Sequence, residues 1–124
     1  MLVYQKILDF KLQNKKGLAL LLDPDEVQLT ASFGELLSAA NTNADFLLIG
    51  GSHLVEDQFH SLLKEVKNQV KIPIILFPGS NDQISSAADA IFLLSLISGR
   101  NPEYLIGQQV KAAFNLKRSG LEII

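Results

Sequence analysis

Short, uninterrupted apolar runs recur along the chain and constrain its fold more than any other feature. Four of them lack the polar alternation of a strand that has one face in water. These four runs span residues 18–22, 46–49, 74–77 and 91–94, and a fifth, 121–124, is apolar except for one glutamate. Continuous runs of this length are typical of strands that are buried on both faces of a parallel sheet.

The intervals between these runs show the apolar spacing of amphipathic helices. The two clearest stripes lie in residues 33–40 and 55–70. After the fourth run, Asn101 and Pro102 form a helix start, and Gly120 is a helix stop. Four apolar side chains of this last helix are expected to face the core: Ile106, Val110, Ala113 and Phe114. The third interval, which is the shortest, has room for a stunted helix at most.

Alternating strands and helices predict right-handed crossovers and a parallel sheet. An open, doubly wound sheet and a (β/α)8 TIM barrel both fit this order. A full barrel takes about 250 residues, or about 31 for each βα unit, so 124 residues correspond to about four units. Residues 121–124 then begin another strand. We therefore expect residues 1–124 to be the N-terminal half of a TIM-barrel domain, truncated after the start of strand five.

Charge and cysteine content exclude several kinds of protein. The chain has 11 Lys and Arg residues against 13 Asp and Glu residues, a formal net charge of −2. A nucleic-acid or polybasic membrane surface needs the opposite balance. The absence of cysteine excludes disulfides, zinc–thiolate sites and thiol catalysis. No run approaches the ~20 residues of a membrane-spanning helix, and no signal peptide is visible. We expect a cytoplasmic protein without stable membrane insertion.

A cluster of small or polar residues follows each of the first four runs. The clusters occupy residues 23–26, 50–53, 78–81 and 95–101. In a parallel sheet they all meet at the carboxyl ends of the strands, where barrels and open α/β sheets bind ligands. Glycines there allow backbone N–H groups to approach an anion. The pattern predicts a site for a phosphorylated or diphosphorylated ligand.

A magnesium site is expected between the first two clusters. Mg²⁺ prefers oxygen ligands, namely one or two carboxylates with phosphate oxygens and water. Asp23 supplies a carboxylate and Ser52 a hydroxyl, and adjacent strands lie ~4.8 Å apart. Asp23 is equally suited to begin a helix as its N-cap. Ordinary turn chemistry also accounts for the glycine and serine clusters, and Arg100 either holds a phosphate or caps a neighbouring carbonyl.

Four segments in order along the chain resemble geranylgeranylglyceryl phosphate synthases and their bacterial relatives. The segments are residues 22–25, 48–52, 72–80 and 95–107, and the last is the most specific because it is the longest combination. The resemblance implies a TIM-barrel prenyltransferase of lipid biosynthesis. Such an enzyme transfers a polyprenyl group from its diphosphate to the 3-hydroxyl of sn-glycerol 1-phosphate, as a step of phospholipid metabolism that forms an ether bond.

Carried over residue by residue, the resemblance implies a magnesium ion held by Asp23 and Ser52. The candidate substrate-binding residues are Gly51, Gly79, Ser80 and Arg100. The family's Tyr-x-Glu-Gly-Ser-Gly motif and the residue that deprotonates the hydroxyl come after strand five, so no catalytic base is assigned here. Glu26 also stands where many relatives carry Lys. We expect little or no turnover from this chain alone.

Two other interpretations remain open. A non-catalytic half-barrel would self-associate to cover its open strand edges, and a homo-oligomer is expected in either case. Another phosphate-binding TIM-barrel enzyme would share the rim of glycines, although these four units contain neither a catalytic lysine on a strand nor an acid pair.

Overall fold

The computed structural model describes residues 2–26, 31–51, 56–81 and 83–124. The helices are α1 (Val3–Leu12), α2 (Ala31–Asn43), α3 (Glu56–Gln69) and α4 (Gln108–Ser119), and one π-helical turn (Glu103–Gly107) leads into α4. The strands are β1 (Ala19–Leu22), β2 (Phe46–Ile49), β3 (Ile74–Leu76), β4 (Ala90–Ile91) and β5 (Glu122–Ile123). No helix in these ranges is long and apolar enough to cross a bilayer.

The five strands form one parallel sheet in the order β1-β2-β3-β4-β5. The last residues of the first three strands are in register, since Leu22 pairs with Ile49 and Ile49 with Leu76. Every predicted strand is present, but β4 is shorter than its apolar run. Beyond Ile91 the pairing continues through individual hydrogen bonds. For example, the Phe92 N–H donates to the Leu76 carbonyl at 3.0 Å. The carboxyl ends therefore form one continuous rim.

Helices α2, α3 and α4 all contribute to the hydrophobic core on one face of the sheet. Phe33 and Leu37 of α2, Leu63 of α3 and Leu116 of α4 belong to the same buried cluster as Leu47 of β2. A doubly wound sheet would distribute these helices over both faces and reverse its strand order at a switch point. The sequential order and shared cluster are those of a (β/α)8 barrel, so the structure decides between the two predicted architectures in favour of the half-barrel.

Helix α1 covers the opposite face and was not predicted from the sequence. Its Val3 is buried with Phe46, Ile75 and Ala90, and its Phe10 ring lies edge-on to Phe46 with ring centroids 5.9 Å apart. Three of its apolar residues recur at helical spacing on the side that packs on the sheet. The leader is therefore a helix that packs against the inner face of the half-barrel.

The two ends of the described chain meet at the amino terminus of α1. The Glu122 carboxylate on β5 accepts hydrogen bonds from the Val3 N–H at 2.5 Å and the Tyr4 N–H at 3.1 Å. These are two of the N–H groups that a helix cannot satisfy internally. Glu122 therefore caps α1 from a strand that is distant in sequence.

The predicted start and stop of the last helix are confirmed, but its predicted core face is wrong. Asn101 Oδ1 accepts from the Glu103 N–H at 3.0 Å, and Gly120 ends α4 in the left-handed conformation with φ 74°. The buried residues are Ala112 and Leu116. The expected core positions Ile106, Val110, Ala113 and Phe114 are all exposed. Ala112 and Leu116, four residues apart, form the face that packs on the sheet, and the larger apolar stripe points outward.

Candidate functional site

The carboxylate of Asp23 lies at the rim directly after β1. One oxygen, Oδ1, accepts from the Asp25 N–H at 3.0 Å, and the Asp23 carbonyl accepts from the Glu26 N–H at 3.1 Å. These bonds form a tight turn over residues 23–26. Helix α2 begins only at Ala31, so Asp23 closes this turn and is not the N-cap of that helix, as one interpretation of the sequence had it. The other oxygen, Oδ2, lies 3.9 Å from the position that a Cβ would take on Gly51. Closing the turn and facing the neighbouring strand are therefore compatible roles for one side chain.

Two consecutive glycines shape the end of β2. Gly50 and Gly51 have φ values of 151° and 96°, which side-chain-bearing residues rarely adopt. A Cβ on Gly50 would lie only 1.9 Å from the carbonyl oxygen of Phe77, the residue that directly follows β3. At Gly51 the nearest atom is instead the Asp23 carboxylate. The first glycine lets the loop pass β3, and the second keeps the space beside Asp23 open.

Ser52 and His53 lie outside the described residues. The predicted approach of Ser52 to Asp23 therefore stays a prediction. What the structure places beside the Asp23 carboxylate is Gly51, the residue that precedes Ser52 in the chain. This is the arrangement expected when the first two polar clusters meet at adjacent carboxyl ends.

The donors at this position suit a hard divalent cation. Among the described residues, no group of three His, Cys, Asp or Glu side chains could form an all-protein metal cage. Mg²⁺ does not need such a cage because it keeps several waters and takes substrate phosphate oxygens as ligands. A half-buried carboxylate with one oxygen turned toward a glycine loop fits that mode of binding.

A cleft of about 430 Å³ opens further along the rim, between the segments that follow β3 and β4 and the outer helix α4. Gly79 and Ser80 line it, together with apolar side chains that include Leu94 and Leu96. The Gly79 N–H donates to Oε1 of the buried Gln83 at 2.9 Å. Two predicted substrate-binding residues therefore lie at one wall of an apolar cleft.

Arg100 is exposed and does not line this cleft. It lies in the loop before the π-helical turn, next to the capping Asn101. The structure therefore brings Asp23 beside Gly51 and places Gly79 and Ser80 in the wall of the cleft, whereas Arg100 is not among the residues that line the cleft.

A chain of polar side chains along the cleft escaped the sequence analysis. Asn81 Nδ2 donates to Gln108 Oε1 at 2.7 Å, and Gln108 Nε2 donates in turn to Glu103 Oε1. Glu103 also pairs with Lys111, and the hydrogen bond from Lys111 is the main cause that holds the pKa of Glu103 below its ordinary value. Glutamines on an amphipathic helix resemble solvent-facing residues in sequence, so only their placement identifies this network.

Gln109 supplies a second polar element of the cleft. Its Nε2 donates to the Leu94 carbonyl at 2.7 Å and to the Tyr104 carbonyl at 3.1 Å. The two bonds fix the orientation of the amide. Its Oε1 is buried and has no hydrogen-bond partner within the described part of the chain. Among the described residues, the wall of the cleft therefore carries one buried hydrogen-bond acceptor, Gln109 Oε1, that has no donor and is surrounded by apolar side chains.

Together the fold and the rim define a class of protein: a (β/α)8-barrel-type half-domain with a carboxylate site and an adjoining apolar cleft at its carboxyl ends. The chain belongs to the PcrB family, whose sequence pattern matches residues 11–124. The resemblance found in the sequence is thereby confirmed.

Curated relatives carry the name geranylgeranylglyceryl phosphate synthase. The one from Spirosoma linguale is 50% identical over 117 residues, covering 94% of this chain and 47% of that protein. The one from Thermococcus kodakarensis is 41% identical over 116 residues, covering 92% and 46%. The chain spans about half the length of the curated relatives it matches.

A solved structure agrees over the whole chain. The (S)-3-O-geranylgeranylglyceryl phosphate synthase from Thermoplasma acidophilum, solved in complex with its substrate sn-glycerol-1-phosphate, superposes with a TM-score of 0.88 and 33% identity. The match covers 100% of this chain and 50% of that one. The half-barrel interpretation is thereby confirmed.

Proposed function

We propose that this chain forms the N-terminal half of a magnesium-dependent prenyltransferase. The reaction transfers a polyprenyl group from its diphosphate to the 3-hydroxyl of sn-glycerol 1-phosphate and makes the ether bond of a phospholipid precursor. Relatives that share 50% and 41% identity with the chain bear the name of this activity. Within the same proposal the protein is cytoplasmic and a homo-oligomer, as predicted from its sequence.

The observation that carries the proposal is the approach of the Asp23 carboxylate to the glycine loop after β2. Oδ2 of Asp23 is 3.9 Å from the Cβ position of Gly51. A carboxylate facing a loop without side chains leaves room for both a cation and the phosphate oxygens that complete its coordination. Asp23 and Ser52 are the residues that would hold Mg²⁺, which when bound stabilises the negative charge that develops on a departing diphosphate.

The apolar cleft is suited to the other end of the same substrate. Gly79 and Ser80 line one wall of it, and apolar side chains that include Ile84, Leu94 and Leu96 line the rest. A prenyl diphosphate has the same division between an anionic head and an apolar tail. We place the diphosphate at the rim and the tail in the cleft, where burial of apolar surface contributes about 25 cal/mol for each Å² removed from water.

The residues of this half bind and orient one reactant but do not complete the reaction. The hydroxyl oxygen of glycerol phosphate forms a bond to the allylic carbon as the bond from that carbon to the diphosphate breaks, and the hydroxyl proton must leave to a base. Backbone N–H groups at the rim would stabilise the negative charge that develops on the departing diphosphate. No described residue is assigned as the base, so turnover requires the remaining strands of a barrel.

Complementation tests this function. The chain is co-expressed with the C-terminal half of the Spirosoma linguale relative, and transfer of labelled glycerol 1-phosphate to geranylgeranyl diphosphate is measured with and without Mg²⁺. We expect metal-dependent ether product from the pair and little or none from the chain alone. Glu26→Gln, which alters an exposed carboxylate nearby, is the matched control for Asp23→Asn. A folded pair that gives no product with any prenyl diphosphate would refute the proposal.

A further inference from the structure

An open polar groove lies on the outside of the half-barrel, between α3 and α4. Its volume is about 1210 Å³, and the segment between β3 and β4 lines it with residues 81 and 84–87. In a (β/α)8 barrel each strand is followed by a helix, but the described residues between β3 and β4 contain none. The groove therefore occupies space that a helix packed between α3 and α4 would otherwise fill.

The titratable side chains that line this groove are all basic. Lys64 of α3 and Arg118 of α4 line it from its two sides, and His60 lies one helical turn before Lys64. In the described part of the chain, no Asp or Glu belongs to the lining. The whole chain has a formal net charge of −2, so the groove departs in sign from the rest of the protein. A concave surface lined by one sign of charge favours a ligand of the opposite sign.

Carboxylates of the described chain do not neutralise the two cations of the groove. The ion pairs that the described residues form are made by Lys67 and Lys111 instead. The Arg118 guanidinium lies 5.3 Å from the centre of the Phe114 ring, and stacking on a ring leaves the N–H groups at the guanidinium edge able to donate. Lys64 and Arg118 therefore present both charge and hydrogen-bond donors to a ligand.

Ser85 adds a buried hydroxyl to the groove. The residue is only 6% exposed, yet it belongs to the lining. Its oxygen accepts from the Ala87 N–H at 3.4 Å, which is long for a hydrogen bond. Within the ranges that the structure describes, its own O–H donates to no acceptor. A buried donor without an acceptor costs stability, so this hydroxyl is an independent sign that the groove receives a hydrogen-bond acceptor.

We propose that this groove binds the phosphate group of a phosphorylated compound without the help of a metal ion. Lys64 and Arg118 supply positive charge from opposite sides, and the Ser85 hydroxyl donates from within. Ser86 and Asn115 offer further neutral donors at the edge of the groove. Phosphate oxygens are strong acceptors that pair well with guanidinium and ammonium groups. The groove has room for a small organic molecule as well as its phosphate.

The groove is separate from both parts of the rim described above. Neither Asp23 nor Gly51 lines it, and among the described residues it shares only Asn81 and Ile84 with the apolar cleft. These two residues therefore form a common wall, with the cleft on one side and the groove on the other. The site does not depend on the transfer reaction proposed above, since it requires neither magnesium nor a prenyl group.

Titration of the 124-residue chain with inorganic diphosphate in the presence of EDTA tests the site. Lys64→Gln and Arg118→Gln are each expected to raise the dissociation constant about tenfold, because each removes a charge-assisted hydrogen bond. Lys117→Gln is the matched control. It removes the same charge from the same helical turn as Arg118, but Lys117 does not line the groove. A wild-type chain that does not bind, or equal weakening by all three variants, would overturn the proposal.

The buried donor has its own test. Ser85→Ala is expected to weaken diphosphate binding about tenfold, since the hydrogen bond that it removes goes to a charged acceptor. Ser38→Ala, which alters an exposed residue of α2, should leave the affinity unchanged. Circular dichroism checks that both variants fold. In the wild type, diphosphate should shift the amide resonances of residues 60–64 and 85–87. A folded Ser85→Ala variant with wild-type affinity would contradict this role.

Two further measurements separate the groove from other anion sites and identify the source of its phosphate. Asp23→Asn should leave metal-free diphosphate binding unchanged. If Asp23→Asn alters that binding and Lys64→Gln does not, the anion lies at the rim and the groove proposal fails, while the proposed transfer function stands. Co-sedimentation with vesicles of phosphatidylglycerol and phosphatidylcholine distinguishes the sources. Vesicle binding that Lys64→Gln weakens and Lys117→Gln does not would assign a lipid headgroup, and diphosphate binding without vesicle binding would assign a soluble phosphorylated compound.

Discussion

Oδ2 of Asp23, at the end of β1, lies 3.9 Å from the position of a Cβ on Gly51, at the end of β2. The two residues are distant in sequence, and parallel pairing of Leu22 with Ile49 brings them together. The relationship depends on backbone conformation at both strand ends. The turn after β1 fixes one carboxylate oxygen, and the glycine pair after β2 leaves the other without a side chain in front of it.

The glycine pair gives the first prediction. Gly50→Ala would place a methyl group 1.9 Å from the Phe77 carbonyl oxygen in a strained conformation, so we expect a loss of about 3 kcal/mol or more in the free energy of unfolding. Urea unfolding measures it. Gly34→Ala is the control, because its Cβ would have its nearest neighbour at 3.8 Å. Gly34 lies within α2, so this variant should gain about 0.5–1 kcal/mol in the free energy of unfolding. Equal effects of the two changes would contradict this account.

The cap that Glu122 provides to α1 gives the second prediction. Glu122→Gln keeps the shape of the side chain but removes the charge that strengthens its bonds to the Val3 and Tyr4 N–H groups. We expect the variant to lose about 1 kcal/mol of stability. Hydrogen exchange at these two amides should accelerate, while amides in β2 should change only as much as global stability does. Unaltered protection at Val3 would show that the carboxylate is not the cap.

The ion pair of Glu103 and Lys111 gives a prediction about pH. The Lys111 hydrogen bond lowers the pKa of Glu103, so the folded state binds this proton less readily than the unfolded state does. The stabilisation from this carboxylate is therefore complete above its unfolded pKa and is lost as pH falls through the lower folded value. The thermal midpoints of the wild type and Glu103→Gln should differ at pH 7 and converge once the pH falls below the lowered pKa of Glu103. A difference independent of pH would exclude the ion pair as its source.

The strands could be predicted from the sequence because a strand buried on both faces leaves a continuous apolar run. Phe46–Ile49 is an example, with three of its four residues fully buried. The position of Asp23 could be predicted in the same way, because a residue that directly follows a parallel strand lies at the rim. What could not be predicted was which of two stripes on α4 faces the core. Periodicity identifies an apolar face but does not show what covers it.

The polar wall of the cleft was missed for a related reason. Gln108 and Gln109 are polar residues on an amphipathic helix, and such residues usually face water. Here Gln108 bridges Asn81 and Glu103, and Gln109 bridges two backbone carbonyls. These partners come from a loop after β3 and a segment after β4. No local pattern specifies that meeting, because the partners come from segments that are distant in sequence.

The last prediction concerns the metal. In the complemented barrel, Asp23→Asn retains an oxygen for the Asp25 N–H but removes the negative charge that would hold Mg²⁺. Magnesium affinity, measured by isothermal titration in the presence of inorganic diphosphate, should fall about tenfold to a hundredfold. The free energy of unfolding should change by less than about 1 kcal/mol, because the turn keeps its hydrogen bond. A variant with unaltered magnesium affinity would remove Asp23 from the ion's ligands, and a large loss of stability with normal affinity would leave it only its role in the turn.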